Sequence, residues 1–227
     1  GAQAAGEGIR PAVMREAVVM QMTWPGAPTV YYGDEAGVCG FTDPDNRRTY
    51  PWGREDQQML AFHRRAIALH RRYPVLIHGS LCFLYGAYQC LAYARFSRSS
   101  QIVVIFNNHE QEQELCISVW EAGITNEQVL RQVFATDAEG FCEEELIYPV
   151  HSGEVTVRMK AMSALVLVAE EAVPVRGAGE SLEERRREFE AEEVLLDGLS
   201  EGAEKIELQA YTAQDTGGVW QDPEEES

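Results

Sequence analysis

The sequence is short of lysine and of long apolar runs, and both shortages limit what the chain can bind. Lys160 and Lys205 are the two lysines, and acidic residues outnumber basic ones by 37 to 19, giving a formal net charge of −18. Nucleic acids and anionic lipids are bound by clustered basic side chains, so we expect neither as a partner. No apolar run approaches the about 20 residues that cross a bilayer, and we expect no membrane span.

Cysteine and histidine are also sparse, and their spacing is typical of neither a disulfide framework nor a metal site. The five cysteines are odd in number and include no C-x-x-C pair, and Cys82, Cys90 and Cys116 lie in apolar, strand-like runs. We therefore predict buried free thiols and a reducing, cytoplasmic location. The five histidines show no H-E-x-x-H type spacing. We predict no metal and no other cofactor.

The acidic residues are concentrated at one end of the chain. Residues 1–169 carry 19 acidic against 14 basic residues, whereas residues 170–227 carry 18 against 5. The latter segment is rich in Gly and Glu and has little to bury, so we predict an acidic tail that is disordered or marginally helical. Ser181 and Glu184 would offer a capping box to such a helix.

The first 79 residues predict a helix, a short strand, a polar loop and a second helix. An apolar-periodic run at residues 17–24 indicates the first helix, and the β-branched and aromatic residues 29–32 favour a buried strand. Apolar residues then recur at spacings of 3 and 4 over residues 59–73, which indicates a helix that ends at Pro74. This order is typical of one unit of a larger α/β sheet or barrel.

From residue 80 onwards the pattern changes to short strands separated by Gly, Asn, Ser and acidic turns. The predicted strands are residues 81–85, 90–96, 102–107, 115–119, 130–135, 146–150, 155–159 and 165–169. Their number and spacing favour an antiparallel β-sandwich. The continuous apolar run at residues 102–106 indicates a central strand, whereas the alternation over residues 115–119 indicates a half-exposed one.

Three motifs near the start of the chain occur in a fixed order. They are G-x-P-x-x-Y-Y-G-x-E at residues 26–35, D-P-x-x-R at residues 43–47 and a Pro-Trp pair at residues 51–52. In this order they resemble the last barrel strand of the α-amylase superfamily, glycoside hydrolase family 13. The nearest branch is that of neopullulanase, cyclomaltodextrinase and maltogenic amylase. The resemblance extends over about residues 10–169.

The resemblance implies a mixed fold in three parts. Residues 1–79 would be the C-terminal remnant of a catalytic (β/α)8 TIM barrel, with its last strand and helix, and residues 80–169 would be an antiparallel all-β sandwich. Residues 170–227 would be the acidic tail. A complete barrel needs about 250 residues, so we expect the rest of the barrel to lie outside this sequence.

The resemblance also implies retaining cleavage of α-glucosidic bonds, which needs two carboxylates about 5 Å apart. The catalytic carboxylates of the family come from motifs that precede the last barrel strand, and no segment here matches those motifs. We therefore assign no catalytic residue and predict that this chain alone is inactive. The missing N-terminal barrel portion is the expected partner, and a homodimer is a further expected assembly.

Asp43 and Arg47 are the predicted substrate-binding residues. A carboxylate and a guanidinium can hydrogen-bond vicinal hydroxyl groups, and the matching pair in the family lies along the cleft. We expect both to contact an α-glucan or maltooligosaccharide in the intact parent; the alternative is a salt bridge that stabilises the loop. The neighbouring Asp34 and Glu35 would point to opposite faces of a strand, so we do not expect a catalytic pair.

Two other functions stay open for the predicted sandwich. It would be a non-catalytic carbohydrate-binding or interaction module if it bound maltooligosaccharide without the barrel, although residues 80–169 show no evident exposed aromatic platform. Alternatively, it would be a structural module that shields the end of the barrel or joins subunits.

Overall fold

The computed structural model of the chain describes residues 9–171, which form three α-helices and nine β-strands. The helices are α1 (Pro11–Thr23), α2 (Gln57–Arg72) and α3 (Val75–His78). The strands are β1 (Ser80–Ala87), β2 (Cys90–Ser97), β3 (Ser100–Asn107), β4 (Gln113–Ser118), β5 (Gln128–Thr136), β6 (Phe141–Cys142), β7 (Ile147–Pro149), β8 (Glu154–Met159) and β9 (Ser163–Glu171). The predicted acidic tail lies outside the described residues, apart from residues 170 and 171.

The strands form two antiparallel sheets, and this confirms the predicted β-sandwich. The larger sheet has the order β1-β2-β3-β9-β5-β6, with β7 also paired to β5, and the smaller sheet pairs β4 with β8. Eight of the nine strands coincide with predicted ones. The unpredicted strand, β6, has two residues, which is too short for alternation to be visible in the sequence.

Strand β3 is central, as its continuous apolar run predicted, because it contributes to a core on each face of the larger sheet. Ile102 and Val104 pack towards the helices, whereas Val103 and Ile105 pack towards the smaller sheet, and all four are fully buried. Since neighbouring side chains point to opposite faces, a strand covered on both sides must be apolar throughout.

The helices cover the outer face of the larger sheet. Their buried side chains share one core with the sheet, to which α1 contributes Val19 and Met22, and α2 contributes Phe62. Burying each such side chain contributes about 1.5–3 kcal/mol. The predicted boundary after residue 79 therefore separates two segments that share a hydrophobic core.

Arg95 of strand β2 fastens the helices to the sheet. Its side chain is 1% exposed and donates to the backbone oxygens of Thr23 (2.9 Å), Leu76 (2.9 Å), Gly79 (2.6 Å) and Ser80 (3.3 Å). Thr23 ends α1, while Leu76 lies within the single turn of α3 and Gly79 caps its C-terminal end. The last carbonyls of a helix lack partners within it and favour a cation, so one guanidinium serves both helix ends.

Residues 29–32 do not form the predicted strand. Val30 and Tyr31 have no regular structure, and a turn begins at Tyr32. A β-strand requires a hydrogen-bonded neighbour, and within residues 9–171 no strand pairs with this segment. Assignment of the segment to the end of a barrel therefore depends on its motifs.

The prediction of buried thiols is right for Cys90 and wrong for Cys116 and Cys142, which are exposed, while Cys39 is partly exposed. Cys116 lies between the buried Leu115 and Ile117 of β4, so strand alternation places its thiol on the solvent face. Cys82 is half-buried, and all five cysteines are free.

Candidate functional site

An irregular loop over residues 24–56 joins α1 to α2 and carries all three motifs. Asp56 anchors its end, because the Asp56 Oδ1 atom accepts hydrogen bonds from the backbone N–H groups of Gln58 (2.9 Å) and Met59 (3.0 Å). The Asp56 N–H donates back to the Ala36 carbonyl at 3.0 Å. The cap of helix α2 thus also fixes the middle of the loop.

Asp34 and Glu35 lie in a short 3-10 turn, Asp34–Ala36, so the strand alternation expected of them does not apply. The Glu35 Oε2 atom accepts from the Gly33 N–H at 2.9 Å, which holds the carboxylate against its own turn. Partial burial raises the pKa of Asp34, and the nearby His63 opposes this shift. Desolvation raises the pKa of Tyr50, and Glu35 raises it further. The contacts of Glu35 thus brace this loop.

Asp43 and Arg47, the two predicted substrate-binding residues, lie together as an ion pair. The Arg47 Nε and Nη2 atoms donate to the two Asp43 carboxylate oxygens at 2.8 Å and 3.0 Å. Both side chains are exposed, Arg47 by 60% and Asp43 by 66%. An exposed pair of this kind contributes about 0–1 kcal/mol to stability. The pair uses two of the five guanidinium N–H donors of Arg47, and the other three are not bonded to Asp43.

A second ion pair, Asp45 with Arg48, lies in the same turn and was not singled out from the sequence. The Arg48 Nη2 atom donates to both Asp45 carboxylate oxygens, at 2.7 Å and 2.9 Å, and Asp45 also accepts from the Phe41 N–H at 2.9 Å. The Phe41 bond, followed by that of Arg48, holds the pKa of Asp45 below its usual range. The signal in the sequence was the spacing of three residues between opposite charges.

Exposed aromatic rings lie in the same loop as the two ion pairs. Tyr31 is 48% exposed, and its ring centroid lies 4.9 Å from that of the tilted Tyr32 ring, whose hydroxyl donates to the Arg48 carbonyl at 3.0 Å. Trp52 is 82% exposed and lies 4.5 Å from the Tyr50 ring. Because exposed rings beside polar groups can stack on the apolar face of a sugar, the loop combines the two kinds of contact that a carbohydrate uses.

Trp24, at the start of the loop, has a different role. Its ring packs against Phe83 at 5.9 Å and edge-on against Tyr93 at 5.3 Å. Trp24 therefore belongs to the packing between loop and sheet.

The described residues show neither a metal site nor a membrane-spanning helix. Within residues 9–171, no group of three or more His, Cys, Asp or Glu side chains is placed to hold a metal ion. No helix in the same part of the chain is long and apolar enough to cross a membrane.

Comparison with known proteins shows which family of domains the β-sandwich resembles. Residues 86–170 match the family described as the alpha amylase, C-terminal all-beta domain. An alpha-amylase from Anoxybacillus, of known structure, has the same fold with a TM-score of 0.62 and 20% identity, over 74% of this chain and 34% of that chain.

Two relatives illustrate the likeness in sequence. The amylopullulanase of Thermoanaerobacter thermohydrosulfuricus is 32% identical over 169 residues, which is 69% of this chain and 11% of the relative. The cyclomaltodextrinase of Thermoanaerobacter pseudethanolicus is 35% identical over 107 residues, which is 46% of this chain and 19% of the relative. This chain thus spans about a tenth to a fifth of the length of these relatives.

These matches confirm the resemblance predicted from the motifs. The chain contains the C-terminal all-β domain of the α-amylase family of glycoside hydrolases. Its relatives include amylopullulanases, cyclomaltodextrinases, a neopullulanase and a maltogenic alpha-amylase.

Proposed function

We propose that this chain is the C-terminal part of a retaining glycoside hydrolase that acts on α-glucans. The match of residues 86–170 to the alpha amylase C-terminal all-beta domain carries this proposal. The names of the relatives point to pullulan and cyclomaltodextrin as substrates of such an enzyme.

In this proposal the catalytic carboxylates come from a barrel portion outside this sequence. Retention requires one carboxylate to attack the sugar and another, about 5 Å away, to protonate the leaving oxygen. The loop carboxylates are already bonded elsewhere, since Asp43 pairs with Arg47 and Glu35 accepts a hydrogen bond from the Gly33 N–H of its own turn. The chain then supplies a wall of the cleft and the domain that follows the barrel.

Incubation of the purified 227-residue chain with cyclodextrin and with pullulan tests this division of roles. We expect no maltose or glucose to be released. Sugar release that co-purifies with the chain through two chromatographic steps would show that it carries its own catalytic pair.

Asp43 and Arg47 are proposed to bind the substrate from the wall of the cleft. Their mutual bonds orient the guanidinium, whose other N–H donors then reach sugar hydroxyl groups, as charged hydrogen bonds do with good geometry. Tyr31 and Trp52 would supply the stacking contact.

A chimera tests this role, with this chain replacing the matching C-terminal part of the cyclomaltodextrinase of Thermoanaerobacter pseudethanolicus. Losing one charged hydrogen bond costs about 1.5–3 kcal/mol, so we expect Arg47→Lys and Asp43→Asn to raise KM by about 10- to 100-fold. Arg71→Lys, on the exposed face of α2, is the matched control. An unchanged KM in both loop variants would leave the pair as a loop-stabilising salt bridge.

The assembly and location of the chain are proposed on the same basis. We expect the barrel portion as its partner and a homodimer as the assembled form, which light scattering of the chimera would measure. The five free thiols favour a reducing, cytoplasmic location. Complete alkylation of all five in cells lysed directly into denaturant with the alkylating agent, without reductant, is the expected result, since Cys90 is buried in the folded chain.

A further inference from the structure

A pocket lies in the β-sandwich, away from the loop that carries the motifs. Its volume is about 480 Å³, and it is lined by residues of strands β5 to β9 and the turns between them. Small-molecule sites in proteins commonly measure about 300–1,000 Å³. The pocket is therefore large enough for a ligand of a few sugar rings.

A buried amide forms the polar base of this pocket. Gln132 of β5 is 3% exposed, and its Oε1 atom accepts from the Tyr148 hydroxyl at 3.2 Å. Its Nε2 atom contacts the Cys142 sulfur at 3.8 Å. Sulfur is a weak acceptor, so the amide keeps donor capacity for a ligand in a place where an unmade hydrogen bond is costly.

The two basic side chains that line the pocket are already paired, and the acidic Glu139 and Glu144 also line it. Lys160 donates to Asp137 at 2.6 Å, and Arg158 forms an ion pair with Glu112. Asp137 accepts in addition from the backbone N–H groups of Glu139 and Gly140 at 2.9 Å and 3.1 Å. Because each cation has a carboxylate partner, an anionic ligand gains little here, and a neutral ligand with hydroxyl groups fits better.

Apolar side chains complete the lining. The Tyr148 ring is half-buried against the sandwich core, and Phe141 and Leu146 line the same pocket. A pyranose ring has an apolar C–H face and a rim of hydroxyl groups, so this lining matches both of its surfaces.

We propose that this pocket is a non-catalytic binding site for an α-linked glucose oligosaccharide. The geometry by itself selects a neutral, hydroxylated ligand, and the choice of glucose rests on the proposed function. The site would hold the substrate polymer at the sandwich, in addition to the cleft. Strands β5 and β6 lie at the opposite edge of the larger sheet from β1, which allows a clean control.

Titration of the full 227-residue chain with maltotriose, followed by heteronuclear NMR, tests the proposal. We expect saturable shifts at the Gln132 side-chain amide and the Tyr148 backbone amide. Tyr148→Ala, which removes the ring, is expected to weaken binding about tenfold, and Lys160→Ala, at a side chain that is 70% exposed, about threefold. Tyr88→Ala, an 80% exposed tyrosine in the β1–β2 turn, is the matched control and should bind normally.

Three outcomes would overturn the proposal. The first is the absence of saturable binding up to the solubility limit of maltotriose. The second is maltotriose binding that survives both Tyr148→Ala and Lys160→Ala but is lost in Asp43→Asn. The third is tighter binding of inorganic phosphate than of maltotriose at the same amides. Melting curves identify a variant that fails to fold, and Lys160→Ala, at a surface side chain, then carries the test. None of these outcomes bears on the activity of the chimera, so the two proposals fail separately.

Discussion

The β-sandwich and the loop over residues 24–56 are held in place by different forces. In the sandwich, strands such as β3 bury every apolar side chain in one of two cores. The loop instead exposes its large side chains, with Trp52 82% and Phe41 51% exposed, and local hydrogen bonds and ion pairs fix its backbone. The stable part of the molecule therefore depends on burial, and the part assigned to binding depends on surface polar contacts.

The largest loss of stability is expected on substitution of Arg95, because this buried residue joins the helices beside the loop to the sandwich. Arg95→Ala leaves the buried carbonyls of Thr23 and Leu76 and two partly buried ones without this donor, and it removes a large buried side chain. We expect it to lower the free energy of unfolding by about 3–5 kcal/mol. Urea denaturation followed by circular dichroism measures this loss.

Arg64→Ala is the matched control, since Arg64 lies on the exposed face of α2. It should change the free energy of unfolding by about 0.5 kcal/mol or less. A similar loss in both variants would mean that Arg95 acts through general charge and has no part in joining the helix ends to the sheet.

Glu16 should produce the next largest effect, and it depends on pH. This residue of α1 is 5% exposed, its Oε2 atom accepts from the Asn108 side chain, and no described group donates to its buried Oε1 atom. Burial raises the pKa of Glu16 to about 7, and the Asn108 bond opposes this shift. Protonated Glu16 therefore suits the folded state better than the carboxylate does.

The direction of the pH effect follows from this raised pKa. Its contribution to stability is complete below pH 4.5, the unperturbed pKa, and is lost as the pH rises through about 7. The full loss is up to about 3 kcal/mol. Glu16→Gln should remove this pH dependence and be more stable than the natural chain at pH 8.

Thermal unfolding between pH 5 and 8 would measure the difference, with Glu110→Gln as the control. Glu110 is 68% exposed and pairs with Arg10, so its variant should keep the natural pH dependence. Parallel pH curves for the natural chain and Glu16→Gln would contradict the role assigned to Glu16.

The same contrast explains which features the sequence predicted. The runs that became β3 and β4 were predictable because apolar periodicity records burial, which is what positions a strand. The segment around Val30 has the same composition as a strand, but pairing needs a neighbour, and composition does not report one. Cys116 was misplaced for a related reason, since membership of an apolar run says less than the face on which a residue falls.

The candidate site was predicted less completely. The motif gave Asp43 and Arg47, but the bidentate ion pair between them depends on the path of the loop. Gln132 and Tyr148 were missed because they are 16 residues apart and meet only through the pairing of β5 with β7. No local pattern records such a contact.

Substitution of Asp56 tests how firmly the loop is joined to the helices, and the expected loss of stability is smaller. Asp56→Ala removes the cap of α2 and should cost about 1 kcal/mol of stability. Glu55→Ala, at the neighbouring loop residue, is the control. In Asp56→Ala, hydrogen exchange should also be faster at the backbone amides of Gln58 and Met59, because both donate hydrogen bonds to the Asp56 carboxylate. Unchanged exchange at both amides would mean that the cap is not formed in solution.

The smallest effect on stability is expected for the ion pair of Asp43 and Arg47. A small effect would show that the pair does not hold the loop together. Both side chains are more than half exposed, so a double-mutant cycle on Asp43→Ala and Arg47→Ala should give a coupling energy below about 1 kcal/mol. High salt should reduce it further. A coupling of several kcal/mol would make the pair a structural element of the loop and would remove the reason to assign it to substrate binding. A weak coupling together with a raised KM in the chimera would instead separate binding from stability in this part of the chain.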